Sequence, residues 1–135
     1  MARVKRFIYN SDFMTLARVG HKEVTVTIPA RKSLLYAGVI EIPMEVPSNS
    51  FTRYQIKYQA SGAYAPLQWL SVNDYFIISD TQSGRQIVYT AFLVTEKDKL
   101  NIYYYVIDMS SNSDSILINS QTFTLIIDFL TQPNT

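Results

Sequence analysis

The chain contains no cysteine and a single histidine, His21. Without thiols there is no disulfide framework, thiolate zinc site, iron–sulfur cluster or cysteine nucleophile. One imidazole cannot build a histidine-based metal cluster. Only four glycines and five prolines occur among 135 residues, too few for a collagen-like or low-complexity chain. Hydrophobic residues make up 47% and charged residues 17%, a balance that argues against disorder. The net charge of +1 gives no global electrostatic case for nucleic acid, and no nucleic-acid partner is expected. Uninterrupted apolar runs such as Tyr103–Ile107 are far too short to span a bilayer. The opening Met1-Ala2-Arg3-Val4-Lys5-Arg6 is basic but lacks the apolar core of a signal peptide. The expectation is a chain made in the cytoplasm, soluble, with no membrane partner.

What is abundant points one way. Val, Ile, Thr, Tyr, Phe and Trp account for 53 residues of 135, the side chains that fit a pleated, half-buried surface. Alternation places them in strands. In Glu23–Ile28, Val24, Val26 and Ile28 share one face while Thr25 and Thr27 share the other, and Pro29 should end the pairing. Val39–Pro47 turns Ile40, Ile42, Met44 and Val46 inward and Glu41 and Glu45 outward, with Pro43 suiting an edge strand or a bulge. Phe51–Ala60 sets Tyr54, Ile56 and Tyr58 against Arg53, Gln55, Lys57 and Gln59. Ser61–Pro66 reads as a loop, followed by Leu67–Leu70 and a turn at Asn73-Asp74. Beyond it, Tyr75–Ser79, a hairpin loop at Asp80–Gly84, Arg85–Thr95, a turn at Glu96–Lys99 and Leu100–Met109 predict a meander. A polar loop at Ser110–Ser115, a short edge strand at Ile116–Ile118 and a closing strand at Thr122–Leu130 complete the chain. The one amphipathic helix candidate is Ser11–Val19. Together these predict an all-β domain spanning 1–135: a single antiparallel β-sandwich, jelly-roll-like or Ig-like, of about eight strands. An extended N-terminal arm (1–12) and a frayed tail (131–135) flank it.

Catalytic constellations are hard to assemble from these residues. A hydrolytic triad needs a base, and His21, between Gly20 and Lys22, reads as a solvated turn residue. No G-x-S-x-G occurs. Most carboxylates stand at predicted turns, and alternation puts Asp108 and Asp128 on outward faces. Asp108–Asp114 is rich in oxygen ligands, yet it lacks the EF-hand order and its bidentate Glu. No catalytic, cofactor or metal residues are therefore expected. Charge does divide along the chain: residues 1–60 hold nine Lys/Arg against four acids, and residues 61–135 hold three against seven. A basic patch would draw on Arg3, Lys5, Arg6, Arg18, Lys22, Arg31 and Lys32. Ordinary solvated charge, or opposite-signed halves meeting between copies, are the other readings.

Aromatics are the remaining resource. Neighbours on a strand take opposite faces, so some of Tyr103-Tyr104-Tyr105 must point outward. Exposed aromatics are enriched at protein interfaces. Tyr103 and Tyr105 are the interface candidates on the strands, joined by Arg3, Lys5, Arg6, Phe7 and Tyr9 on an arm able to add to a neighbouring sheet edge. Tyr64, Trp69 and Tyr75 form the candidate ligand platform, for which a carbohydrate is the alternative partner.

The opener Lys5-Arg6-Phe7-Ile8-Tyr9-Asn10-Ser11-Asp12-Phe13, the Val24–Pro29 strand, the loop with Trp69 and the segment Asp98–Tyr103 before a closing strand follow one another in order. This succession resembles small β-sandwich proteins encoded among bacteriophage structural genes. The resemblance implies a non-enzymatic virion structural or assembly protein, tail- or capsid-associated. Its partners would be copies of itself, as a homo-oligomer, and other virion proteins.

Overall fold

The computed structural model describes residues 17–57, 59–60, 63–64, 68–70, 75–96 and 98–131. Twelve strands and no helix occur among them. They are β1 (Ala17–Ile28), β2 (Arg31–Ser33), β3 (Leu35–Pro43), β4 (Phe51–Lys57), β5 (Gln59–Ala60), β6 (Ala63–Tyr64), β7 (Gln68–Leu70), β8 (Tyr75–Gln82), β9 (Arg85–Glu96), β10 (Lys99–Asp108), β11 (Ile116–Ile118) and β12 (Gln121–Thr131). Two four-stranded sheets, ordered β1-β12-β4-β7 and β3-β10-β9-β8, carry most of the chain, and β11-β2 and β5-β6 form two-stranded ladders. Every pairing is antiparallel. The all-β expectation holds.

Local chemistry explains the boundaries. Pro29 stands just beyond β1 and Pro43 closes β3, an edge strand, where a missing N–H costs no ladder bond. The β8–β9 hairpin turns on Ser83 (φ 51) and Gly84 (φ 75). Two consecutive positive φ angles belong to the turn type whose twist matches paired strands. This two-residue loop is shorter than the Asp80–Gly84 loop expected, because Asp80–Gln82 continue β8.

The buried faces of the two large sheets contribute to one core. Val26, Ile28, Ile56, Phe123, Leu125 and Ile127 from the first meet Ile78, Ile87, Leu93, Leu100, Ile102 and Val106 from the second. Phe76 and Phe123 pack edge to face between the sheets, their centroids 5.2 Å apart. One polar cluster in this core is closed on itself: Gln82 Nε2 donates to the Tyr89 hydroxyl, which donates to the Asn119 carbonyl, while Asn119 N–H donates to Gln82 Oε1. Burial raises the Tyr89 hydroxyl above its usual range, and it stays a neutral donor.

Two glycines make close approaches possible. A Cβ at Gly38 would fall 2.2 Å from the Tyr104 hydroxyl oxygen, and one at Gly20 would fall 2.8 Å from Cδ2 of Phe129. Each glycine lies on an edge strand directly opposite the aromatic that covers it.

Several expectations are corrected. His21 is not on a turn: β1 (Ala17–Ile28) runs through it, with Val19 the extra residue of a bulge between Arg18 and Gly20. Of the helix candidate, Ala17–Val19 is strand and the rest lies outside the described residues. Val46, expected inward, is exposed, since it stands beyond the end of β3. Asp108 and Asp128 are both buried rather than outward. Asp108 has the parity of Tyr104 and Val106, so its side chain turns inward. Asp128 does have outward parity, but charged neighbours cover it. The arm (1–12), Tyr58 and residues 132–135 lie outside the described residues.

Candidate functional site

The outer faces of the two large sheets differ sharply. On the β1-β12-β4-β7 sheet, cross-strand register sets His21 opposite Asp128 and Asp128 opposite Arg53. The next rows are Glu23–Ile126–Gln55 and Thr25–Thr124–Lys57. Thr27 and Thr122 hydroxyls hydrogen-bond at 3.1 Å. This face is polar and charged.

Asp128 is its hub. His21 Nδ1 lies 2.8 Å from Asp128 Oδ1, and the Nε of Arg18 and of Arg53 each approach a carboxylate oxygen at 3.4 Å. Burial by itself would raise the Asp128 carboxyl, but the hydrogen bond from His21 and the charges of Arg18 and Arg53 outweigh it and hold it below the usual range. The His21 imidazole is raised, first by its hydrogen bond to Asp128 and then by that to Glu23 Oε2 at 3.1 Å. With a carboxylate beside each ring nitrogen, the protonated His21 donates to both, which makes the arrangement an ion-pair hub in that state.

A second buried carboxylate braces a loop. Asp108 Oδ2 accepts from Arg85 Nη1 at 2.9 Å, and its Oδ1 accepts the Ser110 N–H at 2.8 Å. Arg85 also donates to the Asp114 carbonyl, while Ser110 Oγ and Asn112 Oδ1 accept backbone N–H groups within the loop. The Asp108 carboxylate, Ser110 Oγ and Asn112 Oδ1, which suggested a cation loop, are thus engaged in local hydrogen bonds. Among the described residues no group of three or more His, Asp and Glu side chains is placed to hold a metal ion. A groove of about 480 Å³ lies between Gly20–Lys22, Phe129 and the chain after β3.

The other outer face is uncharged and mostly apolar. Its rows, in the order β3, β10, β9, β8, are Val39–Tyr103–Phe92–Tyr75, Ala37–Tyr105–Thr90–Ile77 and Leu35–Ile107–Val88–Ser79. Tyr75 is 67% exposed, Tyr105 57%, Leu35 54% and Tyr103 37%. Phe92 and Tyr103 stack across the strands, with centroids 5.4 Å apart and planes 14° apart. No formal charge occurs in these rows. Glu41, Glu96 and Lys99 gather beyond one end, where Lys99 and Glu41 pair at 3.4 Å. Among the described residues no element packs over this face.

The sequence-derived candidates distribute as follows. Tyr103 and Tyr105 stand on the apolar face, and Tyr104 is buried beneath it. Tyr75, assigned to a ligand platform, occupies the same row as Tyr103, two strands away. Trp69 lies on β7, opposite Gln55 in the other large sheet, and Tyr64 lies on β6 of the β5-β6 ladder. The three platform residues therefore sit on three different sheets. Arg3, Lys5, Arg6, Phe7 and Tyr9 fall outside the described residues. Part of the charge division is met within one chain, because Arg18 and Arg53 pair with Asp128.

Sequence reasoning missed Leu35, Ala37, Val39, Ile77 and Ile107 as members of this face. A signal was present: β3, β8, β9 and β10 carry apolar residues on both parities, as strands covered on both sides do. The Asp128 hub had no such signal, because its three partners, Arg18, His21 and Arg53, come from two strands distant from β12 in sequence. No family model matches the chain, and comparisons with curated proteins and with solved structures gave no match.

Proposed function

We propose that the protein is a non-enzymatic structural module, its two large sheets forming a β-sandwich, that works through contacts with other proteins, beginning with copies of itself. The observation that carries this reading is the uncharged apolar outer face of the β3-β10-β9-β8 sheet. Soluble monomers seldom expose contiguous apolar patches larger than a few hundred Å², and patches of that kind mark interaction sites. Tyrosine is favoured in such settings because it is rigid, amphipathic and large. The setting is a virion, as a tail or capsid-associated component, a reading supported by the resemblance of the Lys5–Phe13 opener, the Val24–Pro29 strand and the Asp98–Tyr103 segment to phage structural proteins. Nesting of first with last strand (β1 with β12) and of β3 with β10 favours the jelly-roll-like alternative over the Ig-like one, although β8-β9-β10 runs as a simple meander.

Light scattering of the pure protein over a wide concentration range tests the reading. A defined oligomer is expected, and a strict monomer at high concentration would overturn it.

A further inference from the structure

Resting on the assembly reading above, we infer that two copies pack face to face through their β3-β10-β9-β8 sheets, about a two-fold axis parallel to the strands between β9 and β10. A two-fold interface must be complementary to itself, and the register of this sheet meets that requirement. Rotation about this axis lays β10 over the partner's β9 and β3 over the partner's β8, with each row kept in place.

Large side chains then meet smaller ones. Tyr105 lies over Thr90 of the partner subunit, Ile77 over the partner's Ala37, Leu35 over the partner's Ser79, and Tyr75 over the partner's Val39. Only the Tyr103–Phe92 and Ile107–Val88 contacts join residues of similar bulk, and the stacked Phe92–Tyr103 pair presents a flat surface there. Charge gives a second argument for a like partner. The rows hold no formal charge, so two copies meet without charge repulsion.

Size is the third argument. Three outward rows about 6.7 Å apart on four strands about 4.8 Å apart cover roughly 400 Å² in projection. The relief of Tyr75, Tyr103 and Tyr105 raises the accessible area toward the roughly 600 Å² per partner at the lower bound of specific interfaces.

Because the chain has no cysteine, one introduced thiol carries one spin label, and a pulsed electron paramagnetic resonance distance reports the packing. Ser79 is exposed at the rim of the face, on β8. In the inferred dimer the two copies of β8 are offset by three strand spacings, about 14 Å, across sheets about 10 Å apart, which puts the two Ser79 Cα atoms about 17 Å apart. Labelled Ser79→Cys should give a distance near 20 Å, and labelled Thr25→Cys, on the outer face of the other sheet, a distance beyond 30 Å. Sedimentation of the unlabelled wild type should show a dimer, and Tyr105→Glu should weaken it about a hundredfold, since each change enters the interface twice.

A dimer with a short Thr25→Cys distance and a long Ser79→Cys distance overturns the packing inferred here and leaves the assembly reading standing. So does one in which the Ser79→Cys labels lie within about 10 Å, the result of β8 pairing edge to edge. A wild type that remains monomeric at every concentration overturns both.

Discussion

The two large sheets share a core and differ in what they show to the outside. On the β1-β12-β4-β7 sheet the outward rows hold threonines, glutamine and a cluster of charges around Asp128, with Ile126 and Phe51 among them. On the β3-β10-β9-β8 sheet they hold tyrosines and aliphatic side chains with no charge. Both sheets solve the same internal problem, since alternate residues of each fill one hydrophobic cluster. The difference therefore has no origin in folding the core. One face is finished for water by ion pairs and hydroxyls. The other is left apolar, which is costly in water and useful against protein.

Substitutions on either face should separate association from stability. Tyr105→Glu has the largest expected effect, about a hundredfold weaker association, with less than about 0.5 kcal/mol lost from monomer stability because the side chain is exposed. Sedimentation and chemical denaturation of the same sample read the two quantities. Asp128→Ala should do the reverse. It leaves Arg18, Arg53 and His21 facing one another, and should cost about 2 kcal/mol of unfolding free energy, a breaking-pair penalty discounted for the partial exposure of all three partners. Association should be unchanged once the variant is folded.

Gly38→Ala sharpens the comparison from beneath the apolar face. The added methyl would displace the buried Tyr104 ring, and a loss of about 1–2 kcal/mol is expected in denaturant unfolding. The smallest effect concerns pH. His21, raised when folded, stabilises fully below its ordinary 6.5 and loses that contribution as pH rises through its folded value. Asp128, lowered when folded, stabilises fully above its ordinary 3.8 and loses its contribution as pH falls through its folded value. The hub is therefore strongest between these limits. The stability difference between wild type and His21→Gln should be greatest near pH 5–6 and shrink above neutrality, while oligomer affinity stays flat over the same range.

Much of this was legible in the sequence, and the parts that were not have common causes. Strict alternation in Val24–Ile28 and Tyr54–Ile56 gave strand, parity and burial together, because one face of each meets water. The hairpin at Ser83-Gly84 followed from turn chemistry. Val39–Ile42 and Tyr103–Ile107 gave strands but not the extent of the apolar face, because adding up a face requires knowing that β3, β10, β9 and β8 are neighbours. Cross-strand register joins Tyr75 to Tyr103, and nothing local encodes it. The same holds for His21, Asp128 and Arg53, which lie 107 and 75 residues apart along the chain. Gly20 stands beside His21, which reads as a turn residue, because a glycine under a ring and a glycine at a turn look alike in sequence.

Hydroxyl-radical footprinting of the wild type, compared between dilute and concentrated samples, tests directly which outer face is covered. The account predicts that Tyr75, Tyr103 and Tyr105 become protected as concentration rises, while His21 and Phe51 on the other sheet react equally at both. Protection of His21 and Phe51 with the tyrosines unchanged would contradict it.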